Sequence, residues 1–197
     1  MVNVRAGRVD VFYDFIEDPE RAAQAVRHDA PLVLGVCAYL LSAGSLFLAQ
    51  AISGKTGLFG LSWISLTFVL VWSIGIGILQ TGLVHLIAEV CGGKGRAISL
   101  FVMLGFSELG WALVLPGVLV VQAFFPDTRF GLPIVSFLVS FIVLLLKVRS
   151  IRLNYRFGSV AAWFSILFPQ LALAAGMAFV FLAAVMDVVR ALKGLVS

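Results

Sequence analysis

Five apolar blocks separated by short polar turns constrain this chain more than any other feature. A helix that crosses about 30 Å of hydrocarbon needs roughly 20 mostly apolar residues. Leu32 to Ile52 meets that length, and Pro31 suits the first helical turn. Leu61 to about Ala88 is longer and holds His85. Ile98 to about Phe124 contains Pro116, and Ser159 to about Val189 contains Pro169 and Asp187. Leu132 to Leu146 is short, which predicts a helix that tilts little or thins the bilayer locally. A water-soluble fold could not hide this surface. Of the 197 residues, 61% are hydrophobic and 12% charged, against roughly 45–50% and about 25% in soluble domains. The expected fold is an all-α polytopic bundle of five transmembrane helices, residues 31–197, after a short cytosolic segment, residues 1–30.

The joints carry turn chemistry. Ser53-Gly54-Lys55-Thr56-Gly57, Gly92-Gly93-Lys94-Gly95-Arg96 and Pro126-Asp127-Thr128-Arg129 connect the first four blocks. Lys147 to Arg156 is predicted to be the last joint, with four bases. The net charge of +4 does not point to nucleic acid, because the bases lie between apolar blocks and read as a topology signal. With five spans, Arg5, Arg8, Arg21, Arg27, Lys94, Arg96, Lys147, Arg149, Arg152 and Arg156 fall on one side. Lys55, Arg129, Arg190 and Lys193 fall on the other. Ten against four predicts a cytoplasmic N-terminus and an external or lumenal C-terminus.

The first thirty residues carry six acids and do not resemble a cleavable signal. Val9, Phe12, Phe15 and Ile16 recur near helical spacing among Asp10, Asp14 and Glu17, a pattern for a short helix lying on the membrane surface. Asp18-Pro19-Glu20 then starts a second helix, predicted to reach His28 and lead into the first span. Its cap, first-turn proline and early acid all fit. The cysteines, Cys37 and Cys91, make neither a disulfide framework nor a zinc site, and read as reduced and structural.

Ionisable groups inside spans are costly and so mark candidate sites. His85 and Glu89 share a helix face. They can pair with each other, supply two of the three or four ligands a metal needs, or relay a proton. The structural alternative leaves Glu89 among headgroups and His85 bonded to a neighbouring helix. Glu108 lies about 15 Å into the third block with no base near it there. It must be protonated or paired, and His85 across the short turn is its expected partner. The competing roles are ion handling and a contact with lipid or a wet cleft. Asp187 beside Arg190 reads as an interface pair.

Ser73, Gly77, Thr81 and His85, four residues apart, predict a packing face, and Ala172-x-x-x-Gly176 a second. Pro116 and Pro169 should kink their helices. No G-x-x-x-x-G-K-[ST], H-E-x-x-H or G-x-S-x-G motif is present. Too few polar groups cluster for an enzyme, and no cofactor or metal is implied. There is no convincing internal repeat of the kind many transporters carry.

The motif set resembles a known family. Asp18-Pro19-Glu20-Arg21-Ala22-Ala23 precedes the first span. Cys91-Gly92-Gly93-Lys94-Gly95 follows His85, and Leu104-Gly105-Phe106-Ser107 with Pro116 marks the third span. Together these resemble the prokaryotic branch of the YIP (Ypt-interacting protein) family, over residues 18 to about 185. The resemblance implies five spans with a cytosolic N-terminus. The Asp-Leu-Tyr-Gly-Pro motif of eukaryotic members is absent, Gly105-Phe106 replaces their Gly-Tyr, and only about thirty residues precede the first span. Their Rab GTPase role does not transfer on these grounds.

The function expected is a non-catalytic membrane scaffold or adaptor, organising lipids or recruiting a protein partner at its cytosolic face. A homo-oligomer is compatible with it. Lys147, Arg149, Arg152 and Arg156 are the candidate contacts to anionic headgroups. The alternative is a small transporter or channel using His85, Glu89 and Glu108.

Overall fold

The computed structural model describes residues 10–54, 60–125 and 130–196, with side chains left undescribed at some of these positions, including 187–196. Helices α1 (Asp10–Glu17) and α2 (Pro19–His28) precede five long apolar helices. These are α3 (Leu32–Ile52), α4 (Trp63–Val90), the pair α5 (Ala97–Glu108) and α6 (Val114–Phe124), α7 (Gly131–Tyr155) and α8 (Ser159–Val196). A 3₁₀ turn, Leu109–Leu113, joins α5 to α6. Each of the five units is long and apolar enough to cross a membrane. This is an all-α bundle of the multi-pass membrane type.

Helix α5 forms the hub. Every residue from Ser99 to Ser107 is buried, because α2, α3, α4 and α7 all pack against it. An all-round apolar helix is satisfied only by such enclosure or by lipid. Close packing against α3 depends on small residues. A Cβ on Gly105 would meet the Gly35 carbonyl oxygen at 2.8 Å, and one on Gly77 of α4 would meet the Tyr39 ring at 2.6 Å. Along α7, Val135, Val139 and Val143 form a buried ridge. Gly110 and Gly117 receive it, since a Cβ there would strike Val143 at 2.6 Å and Val135 at 2.7 Å. The outward faces stay apolar, with Phe68, Trp72, Phe137 and Phe141 among the exposed residues, as lipid contact requires. Trp63, Phe124 and Phe130 are exposed at one end of the bundle. Lys94, Arg96, Arg149, Arg152 and Arg156 are exposed at the other, the basic end.

Pro116 acts as expected, with the break upstream of it. Lacking an N–H, it leaves the Ala112 carbonyl without its helical donor. The Ser45 hydroxyl of α3 supplies one at 3.0 Å. Pro169 lies inside the α8 helix, which runs on through it.

Three expectations are corrected. The fourth span is not short. Hydropathy falls at Lys147, yet the backbone stays helical to Tyr155, because no Gly or Pro interrupts it before Gly158. The Lys147–Arg156 stretch is therefore mostly helix rather than a joint. Second, the apolar side of α1 is taken up by the bundle. Val11 and Phe15 are buried against it, with Phe15 edge-on to Phe106 of α5 at 5.5 Å. Ile16 is exposed, and Val9 and the Phe12 side chain lie outside what the structure describes. Helices α1 and α2 make a hairpin, held by Arg21 against Asp14 at 3.4 Å and by the Asp18 side chain accepting from the Arg21 N–H at 3.2 Å. Third, Cys37 and Cys91 are free but exposed, so neither packs the core.

Candidate functional site

Glu108 ends α5, where the 3₁₀ turn begins. Its Oε1 lies 2.5 Å from Lys147 Nζ of α7, with side chains only 16% and 11% exposed. Lys147 also donates to Gln80 Oε1 of α4 at 3.1 Å. Three helices are thus tied at one level by one carboxylate, one ammonium and one amide. Charge pairing answers the desolvation cost that an isolated carboxylate would carry there. Just above, the Ser107 and Ser150 hydroxyls meet at 3.0 Å. Ser107 also donates to the Met103 carbonyl at 3.0 Å.

The expected His85–Glu108 contact is replaced by this pair. Depth explains the substitution. His85 is five residues before the end of α4, about 8 Å along the axis, while Glu108 is eleven residues into α5, about 17 Å. Gln80, not His85, is level with Glu108. Lys147 is turned into the bundle by this pair and does not reach outward as an expected headgroup contact would.

His85 makes a separate site nearer the basic end. Its Nδ1 is 2.5 Å from the Tyr155 hydroxyl and its Nε2 is 3.3 Å from Glu89 Oε1. The ring therefore bridges the Tyr155 hydroxyl of α7 and the Glu89 carboxylate one turn further along α4. Tyr155 stacks on Phe157 with centroids 5.5 Å apart. The turn before α5 closes over this corner, where a Cβ on Gly95 would hit Tyr155 and Asn154 at 2.6 Å. Among the described residues, no three His, Cys, Asp or Glu side chains gather as a metal site would need.

Of the remaining bases, Arg149, Arg152 and Arg156 are exposed at the basic end. The Ser73–His85 stripe does pack inward. Gly77 and Thr81 are buried, Gly77 against Tyr39 and His85 against Tyr155. The second predicted face differs, since Ala172 and Gly176 are exposed and nothing lies within 4 Å of a Cβ on Gly176. The Asp187–Arg190 pair lies outside the described side chains.

Gln80, Tyr155, Tyr39 and Ser45 were not singled out from sequence. Gln80 could have been, as the polar residue of α4 that matches Glu108 in depth. Comparison with models of known families, with curated proteins and with solved structures finds no match to this chain.

Proposed function

We propose that this chain is a non-catalytic membrane scaffold or adaptor of YIP-like layout, with its basic end in the cytosol. The docked α1–α2 hairpin is the observation that supports this most. Its apolar side, Val11, Phe15, Ala22, Ala23 and Val26, is spent on the bundle. Its outward side carries Glu17, Asp18 and Glu20. A helix pair held this way offers a fixed acidic surface to a basic protein partner. Arg149, Arg152 and Arg156 lie at the same end and suit anionic headgroups, each worth about 1 kcal/mol near the surface. Glu108 and Lys147 serve packing in this reading, because each charge is already answered by the other.

The test is photocrosslinking from Glu17 and Glu20 in cells, with and without charge reversal of the other residue. A discrete protein adduct that weakens on Glu17→Lys or Glu20→Lys is expected. Adducts to lipid alone, or none, would contradict the adaptor reading.

One observation favours a transporter instead. Transporters place ionisable side chains and broken helices at their ion sites, and here Glu108 and Lys147 pair where α5 gives way to the 3₁₀ turn. Proteoliposome flux compared between the wild type and Glu108→Gln decides it, and equal flux or none in either removes that reading.

A further inference from the structure

Three arginines lie at the basic end, one at an end of each of three packed elements. Arg27 closes α2, Arg96 precedes α5, and Arg156 follows α7. Side chains of Arg96, Asn154 and Ser99 tie the ends of these elements together. Arg96 Nη1 donates to the Arg27 carbonyl at 2.9 Å. The Asn154 amide, itself only 2% exposed, donates to the Arg96 carbonyl at 3.2 Å. The Ser99 hydroxyl adds a bond to the Val26 carbonyl at 3.4 Å.

The cluster is unsatisfied as it stands. Arg27 Nε is buried and meets no acceptor among the described residues. Burial, and then the charge of Arg156, lower the Arg27 pKa from its ordinary value, so a like charge acts on a half-buried guanidinium. Asp29, the nearest carboxylate in sequence, is exposed and lies 3.3 Å from His28. Arg96 caps α5 with no side-chain hydrogen bond, which leaves the positive helix start facing the same place. Arg156 sits at φ 56° as the left-handed C-cap that ends α7, its N–H bonded to the Arg152 carbonyl at 2.8 Å. A half-buried donor, an uncapped helix start and convergent cations all lack the same thing, a multivalent anion.

We propose that Arg27, Arg96 and Arg156 bind a phosphate group, borne by an anionic lipid headgroup or free in solution. Guanidinium forks match phosphate oxygens in geometry and charge. The phosphate oxygens would accept from the outer guanidinium N–H groups of Arg27, Arg96 and Arg156. The site is distinct from exposed Arg149 and Arg152, and it holds whether the bundle is a scaffold or a transporter.

The experiment uses the full-length chain in two arms. In uncharged detergent, inorganic phosphate is titrated and the unfolding temperature read. In nanodiscs, phosphatidic acid is titrated into an otherwise zwitterionic bilayer and lipid retained per chain is counted. Saturable binding is expected in at least one arm. A response to inorganic phosphate assigns a soluble source, and a response to phosphatidic acid alone assigns the membrane. R27Q and R156G should each weaken that binding at least tenfold, while the R149Q/R152Q pair changes it less than twofold. Without anion, R156G should unfold no lower than the wild type, because glycine relieves the backbone and one repulsion is lost. That keeps the test readable if R27Q folds poorly. Binding absent from both arms, binding that survives R156G within twofold, or equal loss in R149Q/R152Q would overturn the site.

Discussion

Glu108 and Lys147 illustrate what a single pair does in an apolar setting. Each would be costly alone, so the pair is strongly coupled even though its net worth over an apolar isostere is small. Glu108→Gln should destabilise the bundle by about 3–5 kcal/mol, because Lys147 is left buried without a counter-charge. The double variant Glu108→Gln/Lys147→Met should recover most of that loss in thermal unfolding. Additive losses would mean that the two side chains do not act as a pair. Ser45 is a second case. Ser45→Ala should cost about 1–3 kcal/mol by orphaning the Ala112 carbonyl that Pro116 leaves free. A variant as stable as the wild type would imply another donor there. The carboxylate was visible in the sequence as a problem needing a partner. Its partner was not, because Lys147 lies just past the point where hydropathy falls and was read as part of a loop. A base at that position would have been found by extending the helix until a breaker, Gly158, intervened.

At the scale of elements, helix lengths were legible and helix contacts were not. The bilayer forces apolar runs of about 20 residues, so α3, α4, α5–α6 and α8 announce themselves within a few residues of their limits. Which faces meet depends on shapes that hydropathy does not encode. Gly105 and Gly82 are the test. Gly105→Ala should cost about 1–3 kcal/mol, since its Cβ meets backbone that cannot turn away. Gly82→Ala on exposed α4 should be neutral or stabilise by up to about 1 kcal/mol, because nothing lies within 4 Å. Equal effects at both sites would contradict the close α3–α5 approach. The hairpin was legible as two helices through its Asp18 cap and Pro19, but the period of α1 fits a lipid surface and a protein surface equally well. Phe15→Ala should loosen it. Hydrogen exchange in α1 and α2 is expected to quicken while that of α5 stays slow, and unchanged exchange would place α1 off the bundle.

Over the whole molecule, polarity is graded along the bundle axis. Aromatic residues such as Trp63 and Phe130 are exposed at one end, and arginines at the other. The ion pair lies between them, closer to the basic end, because α7 offers only Leu132 to Leu146, about 22 Å, before Lys147. That gradient, the α1–α2 hairpin and the arginine cluster all require the basic end to face a single compartment. Cysteine accessibility tests this directly. With Cys37 and Cys91 replaced by Ser, single cysteines at Lys55, in the sequence between α3 and α4, and at Lys94, in the turn after α4, are exposed to a membrane-impermeant maleimide in intact cells. Labelling of Lys55→Cys from outside, with Lys94→Cys reached only after permeabilisation, is the expected result. The reverse pattern, or equal labelling of both, would contradict a five-span bundle with its basic end in the cytosol.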